Sequence, residues 1–141
     1  MSQQEIEEGE LLRLDFGRFH SRNGTGVVPV AVQDAESGLV LLIAHSSEQA
    51  LSETLRTNIA TFWSLSRDEL WVKGATSGNK LQIAEIRVNC EQNSLLYIVR
   101  CQRGGACHTK DHKGKHRLGC YYRNIVNGKL VVSNQPQLDM P

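Results

Sequence analysis

From Val27 to Val132 the chain runs as short apolar, β-branched stretches, most of them bounded by turn residues. Runs this short pair as strands rather than complete helices. Val27-Val28-Pro29-Val30-Ala31-Val32 reads as the first strand, and Pro29 places it at an edge or a strand start. Asp34-Ala35-Glu36-Ser37-Gly38 is turn chemistry and Leu39 to Ala44 a second strand, so residues 27–44 form a hairpin. Ser46 followed by Gln49 is a capping box opening one helix, which buries Ala50, Leu51, Thr54 and Leu55. Ile59 to Ser64 is a further strand. Leu81 to Cys90 is another, with an apolar phase that slips near Ile83-Ala84 as at a bulge. Glu91 to Ser94 turns the chain into a buried strand, Leu95 to Val99. Tyr121 to Val126 and Lys129 to Val132, joined by Asn127-Gly128, form a second hairpin. The sum is α+β, a strand-rich single domain with one main helix.

The 141 residues suit one domain. Residues 1–20 read as a lead segment, frayed or loosely helical to Glu10. Residues 21–132 form the domain, and 133–141 a mobile tail. A net charge of +1 argues against nucleic acid as partner. No apolar run approaches the ~18 residues of a membrane span, and the start lacks the basic and apolar regions of a signal peptide. The expected compartment is the cytoplasm, where thiols stay reduced. That raises the question of the four cysteines, Cys90, Cys101, Cys107 and Cys120, which fall within 31 residues.

Free cysteines usually pack as small apolar residues, and Cys101, after a hydrophobic strand, fits that role. Cys107 and Cys120 lie in a polar, basic loop. With Cys90 and His108 they supply atoms that suit zinc, although no Cys-x-x-Cys pair is present. Composition leaves metal binding and plain packing both open for them. Residues 64–79 mix hydroxyls, bases and glycines around tryptophan, a loop composition with binding groups.

Several pieces in order resemble the phosphoribosyl-AMP cyclohydrolases of histidine biosynthesis. They are Val32-Gln33-Asp34, Phe62-Trp63-Ser64-x-Ser66-Arg67, Leu70-Trp71-x-Lys73-Gly74-x-Thr76-Ser77-Gly78-Asn79, Cys90, Ala106-Cys107-His108-Thr109 and Cys120-Tyr121-Tyr122-Arg123. The resemblance spans about Val27 to Arg123. It implies a hydrolase that opens the six-membered adenine ring of phosphoribosyl-AMP, or of a close purine nucleotide, with a zinc-activated water. It also implies an intertwined homodimer whose zinc is held by Cys90 of one subunit and Cys107 and Cys120 of the other. His108 becomes the expected proton carrier, against a surface or supporting role. Arg67, Lys73, Thr76, Ser77 and the Gly78 backbone are expected phosphate contacts. Trp63 or Trp71 would stack on the base, although either tryptophan also suits a core. Ser64 and Ser66 join the substrate site or act as turn hydroxyls.

Four departures accompany the resemblance. The family's Asp-Cys-Asp-x-Asp, which binds magnesium, reads Asn89-Cys90-Glu91-Gln92-Asn93 here. Magnesium prefers anionic oxygen ligands, so Asn89, Glu91 and Asn93 are degenerate positions and a weak or absent Mg2+ site is expected. The Glu that follows Lys-Gly in the family is Ala75. The family's Ala-Tyr-Met-Asn is Ala44-His45-Ser46-Ser47, and Leu65 replaces an Arg. The 12 residues between Cys107 and Cys120 exceed the family's spacing, through an insertion near 110–118 that reads as a solvated loop or a lid. Kept thiols beside lost carboxylates suggest a divergent paralogue. The alternative is a catalytically silent or repurposed zinc-containing dimer that binds purine nucleotides.

Overall fold

The computed structural model describes residues 1–102 and 104–133. Most of the expected tail, residues 134–141, lies outside them. The lead forms a short helix, α1 (Gln3–Glu8), capped by the Ser2 side chain on the Glu5 N–H. A two-residue strand, β1 (Phe19–His20), joins the start of β2 (Gly26–Asp34). β2 turns through Asp34, whose carboxylate accepts from the Ser37 N–H at 2.8 Å and hydroxyl at 2.6 Å, into β3 (Val40–Ser46). The hairpin expected over 27–44 is therefore present.

β2 is not an edge strand. It pairs antiparallel with β3 and parallel with β7 (Leu95–Cys101). Pro29 is tolerated because the ladder to β7 opens one residue later, at Val30↔Leu95. β7 pairs in turn with β6 (Leu81–Val88), and the register slips between Ile83 and Glu85, where the sequence places a bulge.

The main helix, α2 (Glu48–Thr57), begins one residue later than the capping box implies. Ser46 stays in β3, opposite Val28, and Ser47 is the cap, accepting from the Ala50 N–H at 3.1 Å. Ala50, Leu51 and Thr54 are buried, whereas Leu55 is 61% exposed, contrary to expectation. The Thr54 hydroxyl ties α2 to the next strand by bonding both the N–H and the carbonyl of Thr61. That strand, β4 (Thr61–Ser64), pairs with β5 (Glu69–Val72), so part of the expected 64–79 loop is a hairpin.

The core lies between α2 and the sheet. Val30, Val32, Leu41, Phe62, Leu81, Tyr97 and Val99 are its most enclosed members, and Phe62 stacks on Tyr97 at 5.9 Å. Each such side chain contributes about 1.5–3 kcal/mol by leaving water. The last hairpin, β8 (Arg123–Val126) and β9 (Lys129–Val132), is exposed along its length. Among the described residues no helix is long and apolar enough to cross a membrane.

Candidate active site

The β4–β5 turn is built from its own hydroxyls. The Asp68 N–H donates to the Ser64 carbonyl at 2.7 Å, the Arg67 N–H to the Ser64 hydroxyl at 3.3 Å, and the Ser64 and Ser66 hydroxyls meet at 3.3 Å. These two serines are thus engaged as turn hydroxyls, while the exposed Arg67 side chain has no partner within the described chain. The tryptophans differ. Trp63 is half-buried and its Nε1 donates to Asp68 at 2.9 Å. Hydrogen bonds from Ser21 and Trp63 hold the Asp68 carboxyl below the usual carboxylate range. Trp71 is 37% exposed, packs on Phe62 at 5.7 Å and carries the Lys73 ammonium 5.5 Å from its ring centre. It has the freer face for a base.

After β5 the chain coils from Lys73 to Asn79. Gly74 is required there. Its φ is +82°, and a Cβ would fall on the Asn79 carbonyl. The Gly78 N–H donates to the Gly74 carbonyl at 2.8 Å, so this backbone donor is already engaged within the loop. Thr76 and Ser77 are exposed. The Ser77 hydroxyl also accepts from the Asn79 N–H at 3.3 Å.

Lys73 links this loop to the cysteines. Its charge reaches both Cys101 and Cys120. Cys101 packs against the core, and burial pushes its thiol up to about 12. Cys107 is buried, and its Sγ lies 2.9 Å from the Thr109 hydroxyl and 3.4 Å from the Thr109 N–H. The Cys120 side chain meets that of Cys107; desolvation and this neighbour push its thiol up to about 11. The two are brought together by backbone pairing. Ala106 N–H donates to Leu118, Cys107 N–H to Arg117, and Cys120 N–H to Leu41 of β3. His116 Nδ1 braces the Cys107 carbonyl at 3.0 Å. His108 is exposed, with no partner within the described chain.

Cys90 is elsewhere. It sits exposed on the β6–β7 turn, where Val88 pairs with Leu95, whereas Cys120 shares Lys73 with Cys101, at the far end of β7. Seven residues of strand separate these ends, about 20 Å at ~3.3 Å per residue. Among the described residues no three His, Cys, Asp or Glu side chains converge within one chain as a metal site.

The turn around Cys90 is closed on itself. Asn89 Oδ1 accepts from the N–H groups of Asn93 and Ser94, Asn89 Nδ2 donates to Asn93 Oδ1 at 2.6 Å, and Asn93 Nδ2 donates to Glu91 at 3.1 Å. Gln92 between them, missed in the sequence reading, is buried and clamps the lead. Its Nε2 donates to the carbonyls of Ile6 and Leu11, and its Oε1 accepts from the Arg13 N–H. Thr109 was also missed. Its place two residues after Cys107 was the available signal.

A family model described as phosphoribosyl-AMP cyclohydrolase matches residues 42–122, which include β4, β5, Lys73 and all four cysteines. The chain belongs to the phosphoribosyl-AMP cyclohydrolase family. It is 40% identical to a phosphoribosyl-AMP cyclohydrolase of Desulfatibacillum aliphaticivorans, over 92% of this chain and 94% of the relative. The corresponding enzyme of Halobacterium salinarum is 50% identical over 74% of this chain and 81% of its own. That of Hyphomonas neptunium is 47% identical over 78% and 79%. By membership the chain is a cyclohydrolase, and its fold is a strand-rich α+β domain with α2 as its main helix.

Proposed function

We propose that this chain is a zinc-dependent cyclohydrolase of histidine biosynthesis acting on phosphoribosyl-AMP, working as a homodimer in the cytoplasm. The observation that carries this reading is the contact between the Cys107 and Cys120 thiols on the side of the molecule that holds Lys73. Two adjacent soft donors, one sulfur already accepting from Thr109, fit zinc. Cys90 is too distant to join them in its own chain, so the third thiolate comes from a second copy. When bound, zinc supplies an acidified water near neutral pH.

The chain's own residues account for the rest. Water adds at carbon six of the adenine ring, the bond to the ring nitrogen breaks, and that nitrogen takes a proton. His108, exposed beside Cys107, carries that proton. Lys73 with the Thr76 and Ser77 hydroxyls holds phosphate by charge-assisted bonds, with Arg67 as the second cation. Trp71 offers its face to the base. The test is ring opening of phosphoribosyl-AMP, followed optically, with zinc-loaded protein. Turnover at a rate typical of enzymes is expected. Nucleotide binding without turnover would instead favour the silent reading, which the loss of Glu at Ala75 motivates.

The second metal is not part of the proposal. At the Cys90 turn two amide NH2 groups donate inward, and one carboxylate, Glu91, is present. Activity is expected to be indifferent to added Mg2+. Changing Asn89→Asp together with Asn93→Asp is expected to raise Mg2+ affinity at least about tenfold by calorimetry, because ligand charge sets affinity at such sites. Unchanged binding in the double variant would show that the turn's shape, not its charge, excludes the ion.

A further inference from the structure

Two exposed segments of opposite charge border the two halves of the proposed zinc site. Residues 1–10 carry Glu5, Glu7, Glu8 and Glu10 and no Lys or Arg, and α1 buries none of its residues. Beside it runs a groove of about 240 Å3, lined by Glu7, Glu10, Leu11, Leu12 and Val88 and also by Cys90. The inserted loop leaves Cys107 and returns at Cys120 with Lys110, Lys113, Lys115 and Arg117 against one acid, Asp111. Among the described residues none of these four glutamates or three lysines forms an ion pair. The ion pairs among the described residues are Arg56–Glu53 and Arg87–Glu85.

We propose that the acidic segment of one protomer seats against the basic inserted loop of its partner, clasping the shared metal site from outside. This rests on the reading that Cys90 of one protomer meets Cys107 and Cys120 of the other. Three sulfurs on one ion lie about 2.3 Å from it. The groove that contains Cys90 is then pressed against the loop that springs from Cys107 and Cys120, and Glu7 and Glu10 face its lysines. Gln92 holds the segment in place for this contact, through its bonds to Ile6, Leu11 and Arg13. The occupant is a second copy of this chain because only that copy brings the acidic wall and the cysteine together. Substrate phosphate is the competing partner for the loop.

The test is sedimentation equilibrium and native mass spectrometry of the zinc-loaded protein. Reversing the lead (Glu5→Lys, Glu7→Lys, Glu10→Lys) or the loop (Lys110→Glu, Lys113→Glu, Lys115→Glu) is expected to weaken the dimer at least about tenfold, since like charges then face each other. In a mixture of the two variants both clasps of the heterodimer regain opposite charges, so heterodimers should dominate and wild-type strength return. Raising salt should weaken the wild-type dimer, as exposed charges are screened within about 8 Å at physiological ionic strength. A zinc dimer indifferent to both reversals overturns this contact alone. So does a loop reversal that raises KM and leaves dimerisation unchanged, which assigns the lysines to phosphate. A monomeric wild-type protein overturns the shared site as well.

Discussion

Mixing two inactive variants, Cys90→Ser and Cys107→Ser, is expected to restore activity. Each substitution removes one thiolate from every site of its own homodimer. Loss of a supporting contact at a metal site costs about 10–100-fold, and loss of a ligand should cost more. In a heterodimer the outcome differs, because in the proposed arrangement a site takes Cys90 from one chain and Cys107 with Cys120 from the other. One of its two sites combines an intact Cys90 with an intact Cys107, and the other has lost both. An equal mixture that exchanges subunits freely should recover about a quarter of wild-type turnover and of bound zinc. The physical basis is the separation of about 20 Å between the β6–β7 turn and the Cys101 end of β7, which the sheet holds fixed. No recovery from folded, exchanging variants would place the site within one chain and sink the shared arrangement. A Cys107→Ser protein that fails to fold, seen by circular dichroism, would mark the metal as structural. Cys101→Ala is the control. That thiol packs against the core, so the variant should keep its zinc and lose only modest stability.

The local grammar of the strands was readable. The Asp34–Gly38 turn and the slip at Ile83-Ala84 both follow from residue type over a few positions. What escaped depends on partners far along the chain. Pro29 suggested an edge or a strand start; the strand is internal, and Pro29 fits because β7 pairs with it only from Val30 onward. Ser46 and Ser47 are equal as caps by composition, and the pairing of Ser46 with Val28 decides between them. Leu55 has helical spacing from Leu51, but β4 covers the Ala50–Thr54 side instead. Trp71 in β5 alternates only weakly, since neither face of that strand is fully buried. At the site, the adjacency of Cys107 and Cys120 was foreshadowed by their polar setting. The Gln92 clamp was invisible, because its partners Ile6, Leu11 and Arg13 lie about eighty positions away and follow no period.

Gly105→Ala is expected to be the most damaging small substitution in the cysteine loop. Gly105 is buried against the backbone of residues 116–117, and a Cβ there would fall on the Arg117 carbonyl, with the His116 carbonyl close by. These are backbone atoms and cannot swing aside as a flexible side chain can. To make room, residues 104–107 and 116–118 must part. That movement breaks the bonds from Ala106 N–H to Leu118 and from Cys107 N–H to Arg117, at 2.8 and 3.0 Å. Those bonds set Cys107 beside Cys120. Overpacking of this kind costs about 1–3 kcal/mol, and the lost backbone bonds place Gly105→Ala at the upper end. The melting temperature should fall by roughly 10 °C for a chain of this size. A shift of about 1 Å between reacting groups costs on the order of 100-fold in rate, so turnover and zinc affinity should fall together. Gly114→Ala, in the same loop, separates strain from contact. Its φ is +77° but nothing lies within 4 Å of an added Cβ, so it should cost only the left-handed backbone penalty of about 1–2 kcal/mol and leave zinc bound. Equal effects from the two variants would mean that loop rigidity, rather than the Cys107–Cys120 register, governs the site.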